Sequence, residues 1–226
     1  EGNAGVQVQP DLAPLLPTLT GIDLPAWTTE PVLGLLPGRR PSARLGDKIT
    51  LRGLNLGGQN VKVLFRHPRL DDVIELAANA GASALSLDAV IPNQPAEWPA
   101  GIYTVSVAVT QGKRRRETNR LPLALAPAIS GRAPATTADA DFTLTVTCSP
   151  EVRKEQDVAV LFGGRELMPD AVGGNTTTLT FAVKGATPGL YPLRLRVDGA
   201  ESVMIKVASS PPVAGFDPDQ IVEVTP

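Results

Sequence analysis

The strongest constraint on the fold is an internal repeat whose copies alternate apolar and polar residues with a period of two. VKVLF at 61–65 returns as VAVLF at 158–162. SALSLDAVIP at 83–92 returns as TTTLTFAVKG at 176–185, and GIYTVSVAV at 101–109 returns as GLYPLRLRV at 189–197. The offsets are 97, 93 and 88 residues, and the order of the segments is kept. The two tyrosines of the chain, Tyr103 and Tyr191, each stand two residues after a glycine at the head of the same repeated run. A repeat of this kind marks an architectural unit. The unit here is roughly ninety residues, close to one Ig-sized β-sandwich.

Alternation places one face of each segment in a core and the other in solvent. Ile49/Leu51 and Val105/Val107/Val109 do so in the first copy. Phe142/Leu144/Val146, Leu193/Leu195/Val197 and Val203/Ile205/Val207 do so in the second, the last set reading as its closing strand. Asp198-Gly199 carries the type I′ hairpin signal, and Gln111-Gly112 occupies the same place in copy one. The one helix-compatible stretch, LDDVIELAANA at 70–80, is read as strand and loop. About seven short strands per copy predict an all-β chain of two tandem Ig-like β-sandwich domains. Seven prolines among residues 1–41 suggest a wrapped arm or linker whose last part becomes the first strand, and residues 209–226 are again proline-rich. The expected division is therefore a Pro-rich arm over 1–30, sandwich 1 over 31–126, sandwich 2 over 127–208 and a Pro-rich tail over 209–226, whose final IVEVT could pair as an edge strand or trail. The short apolar join LALAPAISG (123–131) suggests sandwiches stacked end to end with little freedom.

Composition narrows the chemistry. A net charge of −2 argues against general nucleic-acid binding, which uses basic domains. One Cys and one His exclude an internal disulfide framework and a Cys/His zinc site. No apolar run approaches the ~18 residues of a membrane span. The single His67, before Pro68 at a strand end, has no nucleophile motif beside it, and Cys148 has no basic neighbour in sequence to activate it. No catalytic residue, cofactor or metal ligand is predicted. Asp139/Asp141 form a weak calcium pair. The run Lys113, Arg114, Arg115, Arg116 at a predicted hairpin tip is the favoured contact for an acidic partner, against the commoner reading of a solvated turn. Trp98, in QPAEWPAG, is either an exposed platform or a plug at one end of the sandwich. Gly-x-Tyr suits a tyrosine corner, so Tyr103 and Tyr191 are read as structural.

The first copy, from PVLGLLPGRRPSARLGDKITLRGLNL through VKVLF and AVIP to PAGIYTVSV, resembles the IPT/TIG family of Ig-like domains. The second copy departs from that pattern. Thr147-Cys148 stands where a glycine is expected, and an insert, EVRKEQ (151–156), precedes VAVLF. Its ending, YPLRLRVDGAESVMIKV followed by GFDPDQIVEVTP, resembles the C-terminal part of cap or tube-terminator proteins of extracellular contractile injection systems, which are phage-tail-like particles. The resemblance implies a non-enzymatic structural role in a bacterial particle assembled in the cytoplasm and released. The implied partners are the tube or sheath end or neighbouring cap subunits, bound through an upstream domain and the Lys113–Arg116 hairpin. The Glu start and an opening without a signal-peptide pattern lead to the expectation of a piece of a longer chain, compatible with a monomer in isolation. The alternative is a ligand- or carbohydrate-binding Ig-like module of a secreted or cell-surface bacterial protein, for which Trp98 would be the platform.

Overall fold

The computed structural model describes residues 16–26, 39–79, 81–209 and 212–226. The described residues build two β-sandwiches and contain no α-helix. Sandwich 1 holds β1 (Thr18–Asp23), β2 (Lys48–Leu54), β3 (Gln59–Arg66), β4 (Ile74–Ala77), β5 (Ser86–Val90), β6 (Gly101–Gln111), β7 (Arg114–Glu117) and β8 (Leu121–Leu125). Its sheets run β1-β2-β5 and β4-β3-β6-β7, with β8 also on β6. Sandwich 2 holds β9 (Ala128–Ala133), β10 (Thr136–Thr137), β11 (Phe142–Val152), β12 (Val158–Phe162), β13 (Arg165–Leu167), β14 (Thr176–Val183), β15 (Gly189–Val197) and β16 (Ala200–Glu201). A ribbon of β17 (Ile205–Ser209) and β18 (Pro212–Phe216) follows, then a 3-10 turn (Pro218–Gln220) and β19 (Ile221–Val224). The sheets of sandwich 2 run β14-β11-β9 and β10-β19-β15-β12-β13.

The order is the Ig-like one in both copies, and the register repeats residue for residue. Gly101 pairs with Leu125 as Gly189 pairs with Val224, and Phe65 pairs with Val105 as Phe162 pairs with Leu193. A short segment runs parallel to the last strand in each copy, Ala43 beside Leu125 and Thr137 beside Val224. The closing strand is interrupted in the same way as well. The N–H of Val107 donates to Thr118 Oγ1 (2.9 Å) and that of Leu195 to Ser202 Oγ (3.0 Å). A hydroxyl thus receives the donor that a bulge would otherwise leave unpaired. Each copy fills its own core with the alternating residues. Ile49, Leu51, Phe65, Leu87, Val105 and Val107 lie in one; Leu144, Val146, Val160, Phe181, Leu193 and Leu195 lie in the other.

Three elements pair differently from the sequence expectation. Part of the 1–30 arm is core strand: β1 pairs with β2, Leu19 is buried, and Asn119 grips its backbone by donating to Leu19 O and accepting from Leu19 N. The rest of that arm, residues 1–15 and 27–30 with Trp27, lies outside the described residues. The closing strand of sandwich 2 is not 203–207. The pairing partner of β15 is β19, which the sequence reading assigned to the 209–226 tail, and Val222 and Val224 are buried. Ile205–Ser209 instead pairs with β18 alone, in a ribbon inserted at the bulge of the closing strand. Local alternation is equal in both segments, and only the packing of Val222 against the core distinguishes them.

Candidate functional site: the joint between the sandwiches

The β15–β16 hairpin of sandwich 2 sets its turn on the end of sandwich 1. Asp198 and Gly199 take φ of 42° and 81°, the two positive values of a type I′ turn. From that turn the Asp198 carboxylate receives the Arg69 guanidinium on both oxygens (3.2 and 3.2 Å), the Gln156 amide on Oδ2 (3.0 Å) and the Asp157 N–H on Oδ1 (2.9 Å). Burial alone would raise the carboxyl pKa, but these donors outweigh it and hold Asp198 below the usual aspartate value.

The insert at 151–156 supplies the other clasp. Arg153 donates to Ala96 O (3.1 Å) and Arg69 O (3.4 Å), and the buried Gln156 donates to Ala100 O (2.7 Å). Ala100, a residue of sandwich 1, packs within the core cluster of sandwich 2. On the other flank Arg44 donates to Val203 O (3.2 Å). Gly101 is the point of closest approach. It has φ of 140°, and a Cβ there would collide with His67 Nε2 and stand 3.1 Å from Asp198 Cβ. Two clefts flank the joint. One of about 380 Å³ is lined by His67, Arg69, Ile102, Asp157, Asp198 and Gly199. The other, of about 350 Å³, runs past Ser42, Ala124, Arg194 and Met204.

His67 is buried in the joint. Its Nδ1 accepts the Arg69 N–H (3.1 Å), so the neutral ring carries its proton on Nε2. Burial pushes its pKa below 6.5, against the pull of Asp198. Trp98 is 2% exposed, 5.0 Å edge-on to Phe65 and stacked 5.7 Å from Tyr103. It is therefore corrected from a candidate contact to a core plug, because a ring enclosed on all sides presents no platform. Each tyrosine hydroxyl donates to a carbonyl four residues back, Tyr103 to Pro99 O and Tyr191 to Thr187 O, both at 2.8 Å. Tyr191 stacks 4.3 Å from Phe162. Cys148 is buried and its thiol pKa is pushed up to about 11 by burial, which leaves it a poor nucleophile.

The basic run lies at the end of sandwich 1 away from the joint, and it is not a tip of four cations. Lys113 sits in the turn, while Arg114, Arg115 and Arg116 belong to β7 and pair with β6. Arg115 bridges to Glu75 (2.6 Å). The neighbouring Glu117 is met by Arg66 (3.0 Å) and Arg120 (3.4 Å). Of the calcium pair, Asp141 accepts the Gly185 N–H (2.8 Å) and faces Lys184 (3.5 Å). Among the described residues no three His, Cys, Asp or Glu side chains gather for a metal, and no helix is long and apolar enough to cross a membrane.

The second sandwich, residues 127–225, matches the model of a domain of unknown function, DUF8756. No curated protein matches the chain. Among solved structures it is similar to the surface glycan-binding protein PbSGBP-B of Prevotella bryantii, with a TM-score of 0.39 and 16% identity over 82% of this chain and 40% of that one. It is also similar to a two-domain fibronectin type III segment of chicken tenascin, with a TM-score of 0.35 and 14% identity over 81% and 95%. The extracellular region of plexin A4 gives a TM-score of 0.31 and 13% identity over 92% of this chain and 18% of that one. The chain thus spans less than a fifth of the plexin regions it matches. Likenesses this slight carry no argument about function, and the architecture rests on the strand order above.

Proposed function

We propose that the chain is a non-enzymatic, two-domain interaction module that presents its ends at a set spacing, and that it serves as the C-terminal part of a contractile-injection-system tube terminator. The observation that carries the first part is the joint. A bidentate Arg69–Asp198 pair, the buried Gln156 and the glycine approach at Gly101 hold the two sandwiches together. Such a spacer acts by shape and exposed strand edges rather than by bond chemistry. The terminator reading is supported by the strings RLRVDGAES and FDPDQ, on which the resemblance rests. The first forms the joint hairpin. The second forms the 3-10 turn, in which Asp217 caps Asp219 N and the buried Gln220 donates to Val203 O (2.9 Å).

The carbohydrate-binding alternative loses the aromatic platform it rested on, since Trp98 is enclosed. Immunogold microscopy tests the terminator role, using an antibody against this chain on sheathed particles from the source cells. Label at one end of the tube is expected. Intact particles whose ends stay bare would overturn it.

A further inference from the structure

The far end of sandwich 2 repeats the surface with which sandwich 1 holds its neighbour, and there the surface is open. By register, Pro99, Ala100, Gly101 and Ile102 correspond to Thr187, Pro188, Gly189 and Leu190. In sandwich 1 the first three are buried beneath sandwich 2, whereas in sandwich 2 all four are exposed. Ile102 is 39% exposed beside Gly199; Leu190 is 65% exposed. A Cβ on Gly101 would strike His67 and crowd Asp198, but one on Gly189 would meet only the ring of Tyr191, at 3.9 Å.

What lands on Gly101 is the turn between the last two strands of a sandwich. The same turn of sandwich 1 is Gly112-Lys113, at the opposite end of the chain's long axis. Lys113 and Arg114 stand exposed there, and Leu54 and Leu85 expose apolar surface at the same end. The open surface on sandwich 2 carries both signs with acid in excess. Leu190 pairs across the strands with the exposed Glu223, and the exposed Asp139 follows the segment beside Val224; of the cations at this end, Lys184 is held by Asp141, and Arg165 donates to the Lys184 carbonyl (2.6 Å) and lies over the Phe162 ring. Within one chain an acidic turn meets a basic residue, Asp198 on Arg69; between chains a basic turn would meet an acidic rim.

We propose that the Gly189–Leu190 end of sandwich 2 is a docking surface for the Gly112–Arg114 end of sandwich 1 in a second copy of this chain, giving head-to-tail association. Such a contact is heterologous, so copies add in series rather than stopping at a symmetric dimer. Its charge component weakens with salt. The inference rests on the repeat register and does not depend on the terminator reading.

Sedimentation velocity on the whole chain over a wide concentration range tests it. In low salt the mean mass is expected to climb with concentration, and to fall back toward the monomer in high salt. Leu190→Asp and Arg114→Glu are each expected to weaken association about tenfold. The pair Arg114→Glu with Glu223→Arg is expected to recover part of the loss. Both single changes fall on exposed side chains, and an unchanged melting temperature shows that the fold is intact. A mass that stays monomeric throughout in low salt, or association that Leu190→Asp leaves unaltered, would overturn the proposal.

Discussion

Gly101 and His67 show how narrow the tolerance at the joint is. Replacing Gly101 with alanine drives a methyl group into the His67 ring and forces a side chain into φ of 140°. The expected cost is about 2–4 kcal/mol, read as a loss of denaturation midpoint. His67 adds a pH dependence. Its folded pKa lies below 6.5 because burial disfavours the imidazolium, so the unfolded chain takes up the proton first. Stability is therefore complete above about pH 6.5 and declines as pH falls below it. A proton on Nδ1 would also turn it from acceptor to donor against the Arg69 N–H. Arg69 and Arg153 oppose that proton and Asp198 favours it. Asp198, whose folded pKa is depressed, contributes stability above 3.8 and loses it only at lower pH, so the two windows are separate. Denaturant melts across this range should show the slope near pH 6, and His67→Gln should remove it; a slope that survives the change would assign it elsewhere.

Among the elements, the ribbon β17–β18 is the one the Ig-like order does not require. It pairs with neither sheet of sandwich 2, and the Asp217 N–H donates to Met204 O (2.7 Å) to close its base. Replacing residues 205–216 with a short Gly/Ser turn of about four residues should leave sandwich 2 folded, because the ends already meet and loop closure costs little. Thermal melting by circular dichroism checks this; failure to fold would show that the ribbon carries core packing. The insert EVRKEQ is the opposite case. In the sequence it is a departure from the first copy. In the fold its Arg153 and Gln156 are the clasp that reaches back to Ala96 and Ala100. A departure between two copies of a repeat marks where the copies must differ, and here the insert of the second copy is what reaches sandwich 1 within the chain.

For the whole molecule the joint implies coupled unfolding. Ala100 lies in the core of its neighbour, and breaking the joint exposes it and separates the bidentate Asp198–Arg69 pair. Calorimetry is expected to give one transition for the unaltered chain. Asp198→Ala, which removes four contacts at the turn, should cost about 2 kcal/mol and separate the transitions. Two resolved transitions in the unaltered chain would show that the sandwiches melt independently.

Period-two alternation, the Asp-Gly turn and the paired Gly-x-Tyr runs were enough to specify an all-β chain of two Ig-like sandwiches, because strand burial and turn geometry are local properties written into neighbouring residues. Trp98 as a plug was also within reach of the sequence, as the favoured of two readings, and its burial agrees with it. The closing strand of sandwich 2, the enlistment of β1 from the proline-rich arm, and the meeting of Arg69, Gln156 and Asp198 were decided by tertiary structure alone. Each depends on which of several suitable segments packs against a given edge and core, and on residues 42 to 129 positions apart in the chain being brought within hydrogen-bonding distance. Spacing along the sequence carries no record of either.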